Sequence, residues 1–273
     1  MKICSIIVTY NSDVNEFVSL LKSHPKHIKI IVVDNSTNNS SIKKIKQLSS
    51  FYNTKHIQNS ENLGIASAQN KALKYAFENN YTHSFFFDDD SLPKDNFFSK
   101  IIELYLKNHE FTILRGVQMN HYNEIKKPEF SSFLMNSGSF CNLEIFTKIG
   151  GFDKNLFMNY VDFEFGWRVT STLKAKILIC NDAYFEHKIG EYKIFNLKIP
   201  AEKTHFYHWR NTLYLMKFNH VPISWKLSRL IKLPFKTFLV LILAKNRLRR
   251  LTEVLNGISD GLRIFKDKQN LEI

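Results

Sequence analysis

Apolar residues fall along the first third of the chain in two alternating rhythms. Residues 3–9 (ICSIIVT) and 28–33 (IKIIVV) are unbroken apolar, β-branched runs, the second ending at Asp34. A weaker strand is expected at 54–58 (TKHIQ) and a stronger one at 83–87 (HSFFF), which ends at Asp88. Between the runs, 13–23, 64–79 and 94–108 fit helices. Strands alternating with helices over about 110 residues predict an α/β fold with a doubly wound, mainly parallel sheet. Buried parallel strands should be apolar throughout, and these are.

The pattern changes further on. Val161, Phe165 and Val169 recur at a spacing of four, which predicts an amphipathic helix through YVDFEFGWR (160–168). From about 191 the alternation stops, so the chain divides into 1–190 and a mainly helical 191–273. Residues 223–250 hold eight basic residues and no acidic one. Lys226, Arg229, Lys232 and Lys236 recur every three or four residues and should share a helix face, with Trp225, Leu230, Phe235 and Phe238 off that stripe. The apolar run 237–244 is too short to span a bilayer, which takes about 20 residues, and Pro234 should break or kink the helix. This is the pattern of a helix lying in a membrane interface. A packed helix with a solvated basic rim reads the same way.

Composition narrows the class. The chain has 273 residues, 44% of them hydrophobic, enough for one large domain or a domain with an appendage. No fixed-period repeat occurs. Cys4, Cys141 and Cys180 are odd in number and widely spaced, which predicts reduced, buried thiols in a cytosolic protein. The N-terminal apolar run is too short for a signal peptide and reads as a strand. A net charge of +13 attracts polyanions, whether nucleic acid, anionic lipid or phosphorylated substrates.

Ligands of such sheets bind beyond the carboxyl ends of the strands. Here polar residues follow each strand in turn: Thr9-Tyr10-Asn11, Asp34-Asn35-Ser36 and Asp88-Asp89-Asp90. Helix capping explains any one of these, but less readily all three on one edge. Side chains alternate along extended backbone, so Asp88 and Asp90 should face one way and Asp89 the other. Converging carboxylates are costly alone and favourable around Mg²⁺ or Mn²⁺. A solvated acidic turn before the helix after Pro93 is the alternative. In NLGIASAQNKAL (62–73), Gly64 permits an unusual turn and a helix N-terminus offers N–H groups to a phosphate or ribose. Walker-type GxxxxGK[ST] and GxGxxG patterns are both absent.

The segments SIIVTYN (5–11), VVDNS (32–36), NLGIASAQN (62–70), FFDDDS (86–91) and GGFDKNLFMNYVDFEFGWR (150–168) follow one another in a fixed order. In that order they resemble the family 2 glycosyltransferases, which have the GT-A fold. The second half is most similar to bacterial rhamnosyltransferases and galactofuranosyltransferases. The resemblance spans roughly the first two-thirds of the chain. It implies that Thr9, Tyr10, Asn11 and Asp34 line a nucleobase pocket. Asn62 and Asn70 would hold the nucleotide or position a strand edge, and Asp88 would approach the ribose or the metal. Asp90 would be the principal metal ligand, with Asp89 at the permissive middle of a D-x-D. Asp162 would be the general base that deprotonates a sugar hydroxyl; a plain helix cap is the alternative. Glu164 and Arg168 would orient the acceptor or brace the site. His187 lies 25 residues after Asp162 in an H-x-x-G completed by Gly190, and would be a third metal ligand. Ser137, Gly138 and Ser139 would line the acceptor pocket. Arg210 and Asn211 lie in a segment similar to the YxxRN helix of the rhamnosyltransferase group and would reach a phosphate.

The expected activity is therefore an inverting transfer dependent on Mn²⁺ or Mg²⁺, from a dTDP- or UDP-sugar to a lipid-linked or cell-surface glycan. Rhamnose is the first expectation for the sugar and galactofuranose the second. The expected location is cytoplasmic, peripheral on the inner face of a bacterial membrane. Two rival classes stand beside it. A sugar nucleotidylyltransferase shares the layout and the metal, but carries a Gly-rich basic loop after its first strand, which TYNSDVNEF is not. A basic nucleic-acid-binding protein fits the charge, but no recognised module is present.

Overall fold

The computed structural model describes residues 1–108, 111–119, 128–187, 193–194 and 197–266. Contacts divide it into two units: Met1–Phe157 with Val161–Lys188, and Met158–Tyr160 with Ile189–Ile273.

The first unit is built on β1 (Ile3–Thr9), which pairs in parallel with β2 (Lys29–Asp34) and with β4 (His83–Asp88). The short β3 (Lys55–Gln58) joins β2 in parallel. The connections are α1 (Val14–Ser23), α2 (Asn39–Phe51) and α3 (Gly64–Glu78). Asp13 caps α1 by accepting N–H bonds from Asn15 and Glu16. Helix α2 was not expected. Ile42, Ile45, Leu48 and Phe51 do recur at three-residue steps, but they sit among polar residues, and only Ile45 and Ser49 are buried.

Beyond β4 the sheet becomes mixed. β5 (Ser91–Pro93), α4 (Phe97–Leu106), β6 (Ile113–Gln118), β7 (Glu129–Phe130), β8 (Ser139–Asn142), α5 (Glu144–Ile149), α6 (Val161–Leu173) and β9 (Ile177–His187) follow. The strand order is β3-β2-β1-β4-β8-β6-β9-β5, with β7 on β9. β8 runs antiparallel to both β4 and β6. The acidic turn does not lead directly into a helix, because Ser91–Pro93 pairs antiparallel with the end of β9.

The three phenylalanines before that turn anchor it from both sides of the sheet. Phe85 lies 4.4 Å from the Phe140 ring and packs on Phe98, while Phe87 meets Phe97 and Phe98. Phe86 faces Phe146 and Phe152 on the other side. All three are at most 2% exposed. Each contributes about 1.5–3 kcal/mol of burial, enough to hold charged residues at the strand's end. The three cysteines are free and buried.

The second unit contains the short pair β10 (Lys193–Ile194) and β11 (Leu197–Lys198), then α7 (Glu202–Leu215), α8 (Ile223–Leu243) and α9 (Arg247–Lys266). The expected break at Pro234 does not occur: α8 runs on through it to Leu243, with Pro234 on an exposed face where water can satisfy the carbonyl that loses its N–H partner. Nor do the four cations form one free stripe. Lys226 donates to the Phe218 carbonyl at 2.8 Å, and the Arg229 guanidinium lies over the rings of Trp225 and Tyr160. Spacing alone cannot show which side of a helix is packed.

Candidate active site

The ends of β1, β2 and β4 converge through their side chains. Thr9 Oγ1 donates to Asp34 Oδ1 at 2.9 Å, and the Ser36 N–H donates to the same oxygen. Asp34 is fully buried. Burial pushes its carboxyl up, but the neighbouring His56 and bonds from Ser36 and Thr9 outweigh this and hold it below the usual range. Its second oxygen lies 3.7 Å from His56 Nε2 and has no hydrogen bond among the described residues. It is a buried acceptor that lacks a donor. Tyr10 beside it is half-exposed, a free aromatic face. Asn11, in the left-handed region at φ 49°, accepts from the N–H groups of Thr37 and Asn38 and so clasps the loop before α2.

The Asp88–Asp90 turn alternates as extended backbone requires. Asp89 points back to the first loop, accepting from Ser12 Oγ and from the Tyr10 N–H. Asp88 and Asp90 face His187, and one ligand atom from each of the three lies within 4.8 Å of the others. The pairing of β5 with β9 brings this about by setting Ser91 opposite His187. Ser91 Oγ is hydrogen-bonded to His187 Nδ1 at 2.8 Å and to Ser137 Oγ at 2.6 Å; Ser137 Oγ accepts from the Asp88 N–H. Asp90 Oδ1 is 3.0 Å from Nδ1, yet this buried oxygen makes no hydrogen bond of its own. Burial raises Asp88 to about 7, helped by Asp90, Asp89 and Asp162 and opposed by His187. Burial also raises Asp89, to about 6. For His187 burial works downward, but Asp90, Asp88 and Asp89 more than offset it and hold the ring above its ordinary range. Two carboxylates and an imidazole gathered this closely supply oxygen and nitrogen donors that fit Mn²⁺ or Mg²⁺. Gly190, expected to complete the histidine's pattern, lies outside the described residues.

Asp162 stands in the first turn of α6. Its oxygens accept from the Asn136 and Phe163 N–H groups at 3.1 and 2.9 Å. Burial nevertheless pushes it up to about 6, with those N–H bonds and the Arg115 charge pulling the other way. A carboxylate that titrates there is poised as a base near neutral pH. Ser137 and Gly138 lead into β8, which begins at Ser139, beside the acidic turn. Gly138 is at φ 76° with its N–H on the Phe86 carbonyl, and a Cβ there would lie 2.7 Å from the Phe185 ring.

Other expected site residues are engaged with the protein itself. Asn62 Oδ1 accepts the Gly64 N–H, and the Ile65 N–H donates to the Phe157 carbonyl, so two N–H groups at the start of α3 are already bonded. Asn70 forms a two-way amide clasp with the Phe152 backbone. Buried Arg168 makes a bidentate pair with buried Glu164 and donates to the carbonyls of Ile149 and Gly151. In the second unit, Arg210 pairs with Asp260 at 2.9 Å, and buried Asn211 donates to the carbonyls of Met158 and Asn159.

Sequence reasoning passed over Ser12, His56, Ser91 and Arg115. Nothing local marks them, because their partners lie far along the chain. Arg115 is notable: its Nε has no partner among the described residues, one N–H meets Met135 Sδ, and the group sits over Phe133. A half-buried guanidinium whose Nε lacks a partner has donors to spare for an anionic or oxygen-rich ligand.

This fold and site define a class. The profile described as glycosyl transferase family 2 matches residues 4–162, and the chain belongs to that family. A dTDP-rhamnosyl transferase, RfbF of Shigella flexneri, is 26% identical over 287 aligned positions, covering 96% of this chain and 95% of that protein. Among solved structures, the mannosyltransferase PcManGT from Pyrobaculum calidifontis, in complex with GDP-Man and Mn²⁺, superposes with a TM-score of 0.60 at 14% identity, covering 98% of this chain and 88% of that one. S. aureus TarS gives 0.58 at 18% identity; the alignment covers 97% of this chain but only 49% of that one. These likenesses establish the GT-A fold, and the protein is a glycosyltransferase.

Proposed function

We propose that the protein transfers a sugar, with inversion, from a nucleotide sugar to an acceptor hydroxyl. The observation that carries this is the juxtaposition of the Asp88, Asp90 and His187 cluster with Asp162, which lies near enough to raise Asp88 and itself titrates near neutrality. Asp34 Oδ2, a buried acceptor without a donor, suits the ring N–H of thymine or uracil, and Tyr10 offers a stacking face. That fits a dTDP- or UDP-sugar. Rhamnose is favoured because a full-length relative is a dTDP-rhamnosyl transferase; galactofuranose is second. Asn62 and Asn70 support the pocket through the loops they hold.

Asp88, Asp90 and His187 would hold Mn²⁺ or Mg²⁺, and the bound cation supplies positive charge for the departing diphosphate. Asp162 takes the acceptor proton as the hydroxyl attacks the anomeric carbon from the face opposite the leaving group. Ser137, Gly138, Ser139 and Arg115 lie on the acceptor side, where Arg115 donates to acceptor oxygens. Glu164 and Arg168 brace the segment before the base, and Arg210 and Asn211 order the second unit. The acceptor is a lipid-linked or cell-surface glycan, met at the inner face of a bacterial membrane. The run of eight basic residues over 223–250 supports that location. Among the described residues no helix is long and apolar enough to cross a bilayer.

The test is thermal stabilisation by dTDP, UDP and CDP with and without Mn²⁺, followed by hydrolysis of nucleotide sugars. Metal-dependent stabilisation by dTDP or UDP, and release of sugar from dTDP-rhamnose, are expected. Turnover of free NTP with sugar phosphates would assign a nucleotidylyltransferase instead.

A further inference from the structure

Helix α8 packs by one face and leaves another bare. Leu233, Thr237 and Val240 are its buried residues. Away from them Ile223, Leu227, Ile231, Phe235, Phe238 and Ile242 recur at three- and four-residue steps and make one stripe. Ile231 is 74% exposed, Phe235 63% and Phe238 60%. Scattered exposed apolar residues are ordinary, but an unbroken row marks an interaction surface. From Ile223 to Ile242 the row is about 28 Å long at the α-helical rise.

Charge selects the occupant. Lys232 borders the stripe on one side, and Lys245 and Arg247 follow its end, whereas Lys236 lies nearer the packed face, toward His205 and His208 of α7. The side chains of Lys232, Lys245 and Arg247 are exposed and make no hydrogen bond or ion pair among the described residues. A second copy meeting this face symmetrically would set the same cations against each other. Anionic headgroups complement them, while the apolar row enters the acyl boundary. With charge along one edge and past its end, the helix lies flat.

We infer that α8 docks the protein on anionic membrane, with Phe235 and Phe238 as inserted anchors and Lys232 and Lys245 on lipid phosphates. The inference rests on the proposed lipid-linked acceptor only for its biological use, because docking requires no catalysis. The insertion element is the apolar stripe; the basic residues supply attraction and orientation.

The test is flotation of the full chain with phosphatidylcholine vesicles and with vesicles enriched in phosphatidylglycerol. The wild type should float with the anionic vesicles and release as salt rises. Phe235→Ser with Phe238→Ser should weaken binding by at least about 100-fold, the scale of losing two buried aromatic side chains. Lys232→Gln with Lys245→Gln should weaken it by about tenfold or more. All four side chains are exposed, so melting temperature and the nucleotide–Mn²⁺ thermal shift should stay at wild-type values. That shift reports on the donor site independently of docking. A wild type that floats with neither vesicle would overturn the inference, as would serine variants that float unchanged. A dimer that the serine pair dissolves, seen by sedimentation without vesicle binding, would assign the stripe to a second copy.

Discussion

Asp162→Asn should remove activity and add stability. Burial moves Asp162 from 3.8 to about 6. An acid whose folded pKa is raised contributes instability that is absent below the unfolded pKa and complete above the folded one. The full penalty, about 3 kcal/mol, therefore acts at pH 8, and about half of it at pH 5. The amide escapes that penalty. It cannot accept both the Asn136 and Phe163 N–H bonds, because one of its atoms is now a donor, which costs about 1 kcal/mol. The net gain at pH 8 is about 2 kcal/mol, or roughly 5 °C in Tm for a chain of this size. At pH 5 the gain should nearly vanish. Donor hydrolysis or transfer should fall at least about 100-fold, the usual scale for a lost base, with the nucleotide–Mn²⁺ thermal shift unchanged. Paired scanning calorimetry at the two pH values, with a turnover assay, tests this. A variant that melts below wild type at pH 8, or whose Tm difference ignores pH, would refute the burial argument. Loss of the nucleotide shift with turnover would move Asp162 into the donor site.

Asp90→Ala should abolish the Mn²⁺-dependent thermal shift by nucleoside diphosphate, yet leave the metal-free protein as stable or slightly more so, since a like charge is removed; full activity in EDTA would contradict it. Arg168→Met strands the buried Glu164 carboxylate and frees the carbonyls of Ile149 and Gly151, so chemical denaturation should show a loss of about 3–5 kcal/mol. Arg115→Gln removes a charge that holds Asp162 down, so the acid limb of the pH–rate profile should move to higher pH. Acceptor KM should rise as well, and a merely structural Arg115 would move neither.

The parallel half of the sheet was legible because strands buried on both faces are written as apolar runs, and the polar residues after β1, β2 and β4 marked the ligand edge. The facing of Asp88 and Asp90 followed from strand alternation. Other elements carried little local mark. Helix α2 carries its few apolar residues, Ile42, Ile45, Leu48 and Phe51, at three-residue steps amid a polar stretch, a weak mark. β5 is three residues with a proline, and its identity as a strand depends on β9, some ninety residues on. The same distance hid Ser91 as the partner of His187, and Ser12 as the partner of Asp89. In α8 the spacing of cations was visible, but the packing of Lys226 and Arg229 was not. The bare stripe emerged only once the buried face was known.

The acidic turn also makes cation uptake an exchange of ions. With Asp88 at about 7 and His187 held above its ordinary range, the cluster carries protons near neutrality. A cation binds the carboxylate and the neutral imidazole, so those protons must leave as it arrives. Its apparent affinity should weaken by up to about tenfold per pH unit for each proton displaced. The measured heat of binding will then include the ionisation heat of whichever buffer takes up the protons. Burial at the end of β4 thus couples metal occupancy to the acidity of the surroundings.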